Sequence, residues 1–373
     1  MLFRSILMEW NLGQTSQGSS GLWDVHFRIG GSAGTKLQSN TCSKTPAQTT
    51  PANPDCIAAF LLLHVTATGA VYVENCWFWV ADHELDLADH NQINIYNGRG
   101  VLIESKPGPV WLWGTSSEHN VLYNYQVNNA ANVFMGLIQT ETPYFQSNPD
   151  ASVPFTVNAA FSDPDLTQGE SLAKKAWGVR VKGSSDVFIY GAGLYSFFDN
   201  YNQDCLATEN CQDNMLSIES STNVQVLALS TKAAVNMVTV EGQSAALDKD
   251  NRNNFCAAIA VFATSVSSAP GSLPNTDQPS SSLSTKSTVS PPSPSSTLSS
   301  ETTVFPLTTI TVPGPLTTTT TVNTAVDNTL SVPASTNTAP LPTASEESPS
   351  LIPGVVPGFT RSEERRVGKE CME

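Results

Sequence analysis

Apolar positions recur along the chain in short bursts rather than in long periodic stretches. VWLW (residues 110–113), VFIY (187–190) and VQVLAL (224–229) are rich in β-branched and aromatic residues, as half-buried strands are. Extended helical periodicity is scarce, and SLAKKAWG (171–178) is the one modest helix candidate. In WDVHFRI the alternation sets Trp23, Val25, Phe27 and Ile29 on one face and Asp24, His26 and Arg28 on the other, which predicts a strand lining a core. A weak repeat joins these bursts. WGVRVKGSSDVFIYGAG (177–193) aligns with NMLSIESSTNVQVLALS (214–230) at an offset of 37, and VLIESKPGPVWLW (101–113) follows the same plan with one extra turn residue. Strand, tight polar corner, strand is the plan of a coil, so the expected fold is all-β, a right-handed parallel β-helix of the pectate-lyase-like kind. A β-sandwich spaces its strands similarly and is the alternative. Asn-rich corners, and the lack of two-residue Asn-Gly hairpins between alternating strands, favour coils.

Composition then divides the chain. Residues 264–360 are almost wholly Ser, Thr, Pro, Ala and Val, a text too poor in apolar surface to offset chain entropy, and are expected to be a disordered stalk. The end, RSEERRVGKECME (361–373), breaks from that text so sharply that it is expected to be a non-native scar. The folded unit is expected at 10–263. Six cysteines precede the scar, and the close pairs 42/56 and 205/211 suit disulfides in an oxidising compartment. Secretion, to the outside or to a cell wall, is therefore expected of the parent protein. MLFRSILMEW is a poor signal peptide, however, which suggests that residues 1–9 are the remnant of a missing N-terminal region. No apolar stretch is long enough to span a membrane. A formal charge of −15 without clustered Lys or Arg in the folded unit argues against nucleic acid.

Candidate chemistry centres on GLIQTETPYFQ (136–146). Pro143 biases Thr142 toward extended backbone, which aims the Glu141 side chain from a strand-like segment. Tyr144 and Phe145 follow, and aromatic faces pack well on the C–H faces of sugars. A carboxyl group partly removed from water beside them would favour its neutral form, as a general acid requires. Glu118 in GTSSEHNVLYNY lies 23 positions earlier, about one coil, so both could face one groove. Paired carboxylates are the groups of glycoside hydrolysis. ENCWFWVADHELDLADHN offers Trp77 and Trp79 as ring platforms and Asp82 and His83 as a polar rim, with His119 beside Glu118 as a further contact. Asp86, Asp89 and His90 extend that run, but the spacing matches no metal motif. No metal and no other cofactor is expected. Trp111 and Trp113 are expected in core stacking first and in a subsite second. GGSAG (30–34) mimics a nucleophile elbow but is followed by a proline-containing loop rather than a helix. Arg99, Arg180 and Lys182 are the only strand-side cations available for a lyase reaction.

The segments TSQGSSGLWDVHFRIGGSAGTKLQ, WFWVADHELD, YNGRGVLIES, WLWGTSSEHNVLYNYQ and FMGLIQTETPYFQ, in this order, resemble the C-terminal half of fungal exo-β-1,3-glucanases of glycoside hydrolase family 55, over residues 9–263. The resemblance implies two tandem right-handed parallel β-helices with the active site between them. It also implies inverting release of glucose from the non-reducing end of β-1,3-glucan. Glu141 then matches the general acid and Glu118 the second acidic residue. The expected partners are β-1,3-glucan and a missing N-terminal β-helix domain, without which little activity is expected. A rival reading is a non-catalytic wall-binding module carried on the stalk.

Overall fold

Inward-facing apolar residues at every second position give each coil up to three short strands, and stacking the coils builds three faces. The computed structural model describes residues 5–13, 18–47, 51–166 and 175–264. Face A holds Ile6–Trp10, Leu61–Val65, Arg99–Ile103, Tyr123–Asn128, Trp177–Lys182, Gln212–Glu219 and Ala234–Val240. Face B holds Gly21–Trp23, Val71–Glu74, Val110–Trp113, Ala131–Gly136, Ser185–Tyr190 and Thr222–Lys232. Face C holds His26–Ile29, Trp77–Val80, Ser116–Glu118, Gln139–Glu141 and Gly193–Tyr195, and is continued by the end of Thr222–Lys232.

Strands on successive coils pair in parallel throughout these faces. Antiparallel strand pairing enters where Gln243–Leu247 and Cys256–Ala263 fold back on the last coils. This is a parallel β-helix, with the right-handed crossovers that strand twist imposes, and not a sandwich. The repeat at offset 37 is two stacked coils, with Val179 opposite Leu216 and Val187 opposite Val224. Inside, Leu63, Val101, Tyr125, Val179, Leu216 and Val238 form one column. Each member lies about 4.8 Å from the next and has almost no contact with water.

One residue in the left-handed region turns face B into face C. Asp24, Asn75, Gly114, Leu137 and Gly191 have φ of 57°, 51°, 59°, 52° and 72°. The N–H of each donates to a carbonyl of the next coil, at 3.1, 2.9, 2.9, 2.7 and 2.8 Å. Asn, Asp and Gly tolerate this conformation best, so the polar corners in the sequence report a backbone requirement.

The corner also corrects the WDVHFRI expectation. Asp24 interrupts the alternation, so Val25, Phe27 and Ile29 pack on the core while Trp23 turns outward. Trp177 opens a face A strand rather than extending a helix; residues 171–174 lie outside the described residues, as do the stalk from 265 on and the 361–373 segment. Met8, Glu9 and Trp10 pair with Leu63, His64 and Val65, so the solenoid begins before residue 10. Cys42–Cys56 and Cys205–Cys211 are disulfides, whereas Cys76 is a buried thiol.

Among the described residues the chain leaves the solenoid between faces C and A at 30–47 and 51–60, 81–98, 142–166 with 175–176, and 196–211, whereas 119–122 and Ala233 make tight corners there. These excursions bury a second core that includes Trp79, Ile95, Tyr96, Leu122 and Phe155. The two disulfides brace the first and last of them.

Candidate active site

Face C brings the two acidic candidates together. Arg28, Trp79, Glu118, Glu141, Tyr195 and Lys232 are register partners on six successive coils. Ser117 and Thr140, the neighbours one position earlier, are fully buried in the solenoid, so alternation sends Glu118 and Glu141 outward side by side. The excursions rise around them, leaving the residues only 7% and 5% exposed.

The backbone beneath is held by an asparagine network. Asn97 Nδ2 donates to Asn120 Oδ1 at 2.7 Å, and Asn120 Nδ2 donates to Asn124 Oδ1 at 3.0 Å and to the Glu118 carbonyl at 3.2 Å. Asn124 Nδ2 donates to the Glu141 carbonyl at 2.9 Å. These buried amides sit at the tight 119–122 corner and set the heights of both glutamates. Asn124→Ala should strand the buried Asn120 N–H, which donates to Asn124 Oδ1 at 3.1 Å, and cost about 1–3 kcal/mol. A lowered melting temperature measured by circular dichroism checks this, and an unchanged melt would refute the role.

His119, at φ 63°, lies between carboxylates. Its Nδ1 donates to the Val80 carbonyl at 2.9 Å and lies 3.7 Å from Asp82 Oδ1, while Nε2 lies 3.5 Å from Glu141 Oε2. Burial disfavours the imidazolium, but Asp82, Glu141 and Glu118 together push its pKa up to about 10, so it is a cation at neutral pH. Asp82 is held below its ordinary range: burial opposes ionisation, but the His119 charge and a 2.8 Å hydrogen bond from His83 Nδ1 outweigh it. Glu118 goes the other way. Burial, then the negative charge of Glu141, push it up to about 7, against the His119 charge, the Ser116 hydroxyl and the Trp77 indole. Two such neighbours titrate as a pair, and in this one burial and the adjacent charge favour the neutral form of Glu118.

Aromatic rings complete the surround. Trp77 and Trp79 stack with centroids 4.8 Å apart. The Tyr144 hydroxyl donates to Glu141 Oε2 at 3.2 Å, and its ring packs on His119 at 4.8 Å and on Phe198 at 4.0 Å. Gln139 Nε2 donates to Glu141 Oε1 at 3.4 Å.

Of the residues expected from the sequence, Trp77, Trp79, Asp82, His83, His119 and Tyr144 thus gather at the glutamates. Phe145 does not: it packs edge-on against Tyr96 in the second core, 5.0 Å away. Asp86 leaves the rim to pair with Arg28 at 3.2 Å, and His90 caps the Glu84 carbonyl at 3.0 Å. Trp111 and Trp113 are exposed on face B rather than stacked in a core. Ser116, Gln139, Tyr195 and Phe198 were not foreseen, since nothing local marks them. Tyr195 lies 54 positions after Glu141, an offset that becomes one coil only through the register of their two strands.

No family model matches the chain. Over 258 residues it is 59% identical to a protein of Arthroderma benhamiae named a probable glucan endo-1,3-beta-glucosidase, covering 69% of this chain and 29% of that one. Over 255 residues it is 46% identical to a glucan 1,3-beta-glucosidase of Cochliobolus carbonum, covering 66% and 31%. Over 270 residues it is 42% identical to a Penicillium expansum protein named non-secreted LysM effector LysM15, covering 72% and 18%. The chain therefore spans less than a third of the length of these relatives. A parallel β-helix and identities of 59% and 46% over about two thirds of its own length make the chain similar to these glucosidases, in line with its resemblance to glycoside hydrolase family 55.

Proposed function

We propose that this chain supplies the proton-donating wall of a secreted β-1,3-glucan hydrolase that releases glucose from the non-reducing end with inversion. The observation that carries the proposal is the register pairing of Glu118 with Glu141 on face C, both nearly buried beneath aromatic rings. The two carboxylates share one proton, and Glu141 delivers it to the glycosidic oxygen. Glu118 keeps that proton available, because two adjacent buried carboxylates resist double ionisation. Trp77 and Tyr144 offer ring surface to the sugar. Relatives named for 1,3-β-glucosidase activity support the substrate class, and two disulfides support an oxidising destination.

Adjacent strands are about 4.8 Å apart, short of the roughly 6.5–9.5 Å that separates acid from base across a water in inverting enzymes. Both glutamates are therefore given to the leaving-group side, and the water-activating group is sought outside the pair. The test is laminarin hydrolysis by this chain beside one extended to the length of its relatives, with the first-formed anomer read by NMR. α-Glucose as the first product is expected. β-Glucose would instead make the pair a retaining acid and nucleophile, and oligosaccharides in place of glucose would make the enzyme endo-acting. An acid must be protonated to act, so the rate is expected to fall as pH rises through about 7, where Glu118 titrates. Glu118→Gln removes the neighbouring like charge and should move that limb to lower pH; an unmoved limb would exclude the shared proton.

A further inference from the structure

Face B turns an aromatic surface outward, on a different face of the solenoid from the carboxylates. Tyr72, Trp111, Phe134 and Phe188 are register partners on consecutive coils. In the row beside them Trp23, Glu74, Trp113, Gly136 and Tyr190 follow one another. Trp23 and Trp113 are 48% and 43% exposed, an unusual state for the largest apolar side chain. Rings thus recur on every second coil, about 10 Å apart given the spacing of stacked strands. The bare position between two of them has a reason. A Cβ on Gly136 would lie 2.6 Å from the Trp113 ring, so the indole lies over the backbone of the next coil.

Between Trp23 and Trp113 opens a groove of about 340 Å³, lined also by Asp24, Glu74, Asn75 and Gly114. Asn75 Nδ2 donates to Asp24 Oδ1 at 2.5 Å, and the Tyr72 hydroxyl hydrogen-bonds Glu74. Acceptor oxygens are thereby held on the floor between two indole walls. No Lys or Arg lines the groove, and the chain carries a formal charge of −15, so an anionic ligand or an acidic lipid surface is a poor match. A purely apolar partner would leave the two carboxylates and the amide unused. A neutral pyranose chain satisfies both halves of the lining: its C–H faces stack on the indoles and its hydroxyls donate to Asp24 and Glu74.

We propose that face B is a second carbohydrate-binding surface, on which a neutral β-glucan chain lies across Trp23 and Trp113 independently of the carboxylate site on face C. The choice of β-1,3-glucan among neutral polysaccharides rests on the function proposed above. The surface would hold the polymer near the protein without cleaving it.

Affinity electrophoresis of the full chain in gels containing laminarin, hydroxyethyl cellulose or polygalacturonate tests this. Laminarin is expected to retard the wild type. Trp23→Ala and Trp113→Ala should each weaken that retardation about tenfold, and the double variant should abolish it, with melting curves unchanged because both rings are exposed. Val235→Ala, an exposed position on face A, should leave the retardation in place. Retardation by hydroxyethyl cellulose alone, lost in the double variant, would uphold the surface while sinking the β-1,3-glucan reading. Equal retardation of wild type and double variant would overturn the proposal, as would retardation by polygalacturonate alone or no retardation by any polymer. A wild type that sediments as a dimer and a double variant that sediments as a monomer would overturn it too, by making a second copy of the chain the occupant.

Discussion

Changing Glu141 to Gln is expected to lower the kcat for laminarin by about a thousandfold to ten-thousandfold, with the fold intact. The amide has the carboxylate's shape, and its oxygen can still accept the Tyr144 hydroxyl that now reaches Oε2 at 3.2 Å. What it lacks is a proton to give to the departing oxygen. His119 beside it would lose one of its three stabilising carboxylates but keep Asp82 and Glu118, so the local charge pattern should survive. The assay belongs in a chain extended to the length of the relatives, with a melting curve to show that the variant is folded. Substrates whose leaving group needs no proton should recover most of the lost rate, and KM should change little. Near-normal turnover of laminarin would remove Glu141 from the acid role.

The second large effect is on stability. Arg99 on face A and Asp163 in the excursion that follows Glu141 have fully buried side chains joined by two hydrogen bonds, Nε to Oδ1 at 2.7 Å and a second, very short one from the other guanidinium nitrogen. The guanidinium also lies 3.8 Å over the Phe60 ring. Asp163→Ala would leave a buried cation without its partner, at a cost of roughly 3–5 kcal/mol. For a domain of this size the melting temperature should drop by roughly 10 °C. The same excursion starts at the residues that carry Tyr144, so activity should fall along with stability. Arg99→Met combined with Asp163→Leu should restore much of the melting temperature, because an apolar pair has no uncompensated charge. A melt within a degree of wild type for Asp163→Ala alone would refute the anchoring role.

Much of the coil was legible because its causes are local. Stacked coils need inward apolar residues two apart and a corner residue that tolerates positive φ, and WGVRVKGSSDVFIYGAG shows the first and Asn75 and Gly114 the second. Glu118 and Glu141 were legible as a pair for the same reason: the 119–122 corner is short, so 23 positions make one coil. The readings that failed share a cause as well. Alternation was carried across Asp24 as though the strand were continuous, and one left-handed residue reversed which way Trp23 points. Adjacency to Tyr144 makes Phe145 look like a site ring, but the two side chains point apart, one to the carboxylate and the other to a core.

By itself, then, the sequence determined the solenoid and the coil that carries each glutamate, because these rest on local periodicity and on residue types at fixed spacing. Only the tertiary structure decided what surrounds those glutamates. The excursions differ so widely in length that no linear offset predicts that Asp82, His119, Tyr144 and Phe198 converge. The charges of the site were decided there too. The raised pKa of Glu118 and the cation on His119 arise from loss of water and from carboxylates on separate segments, and such forces act through space rather than along the chain.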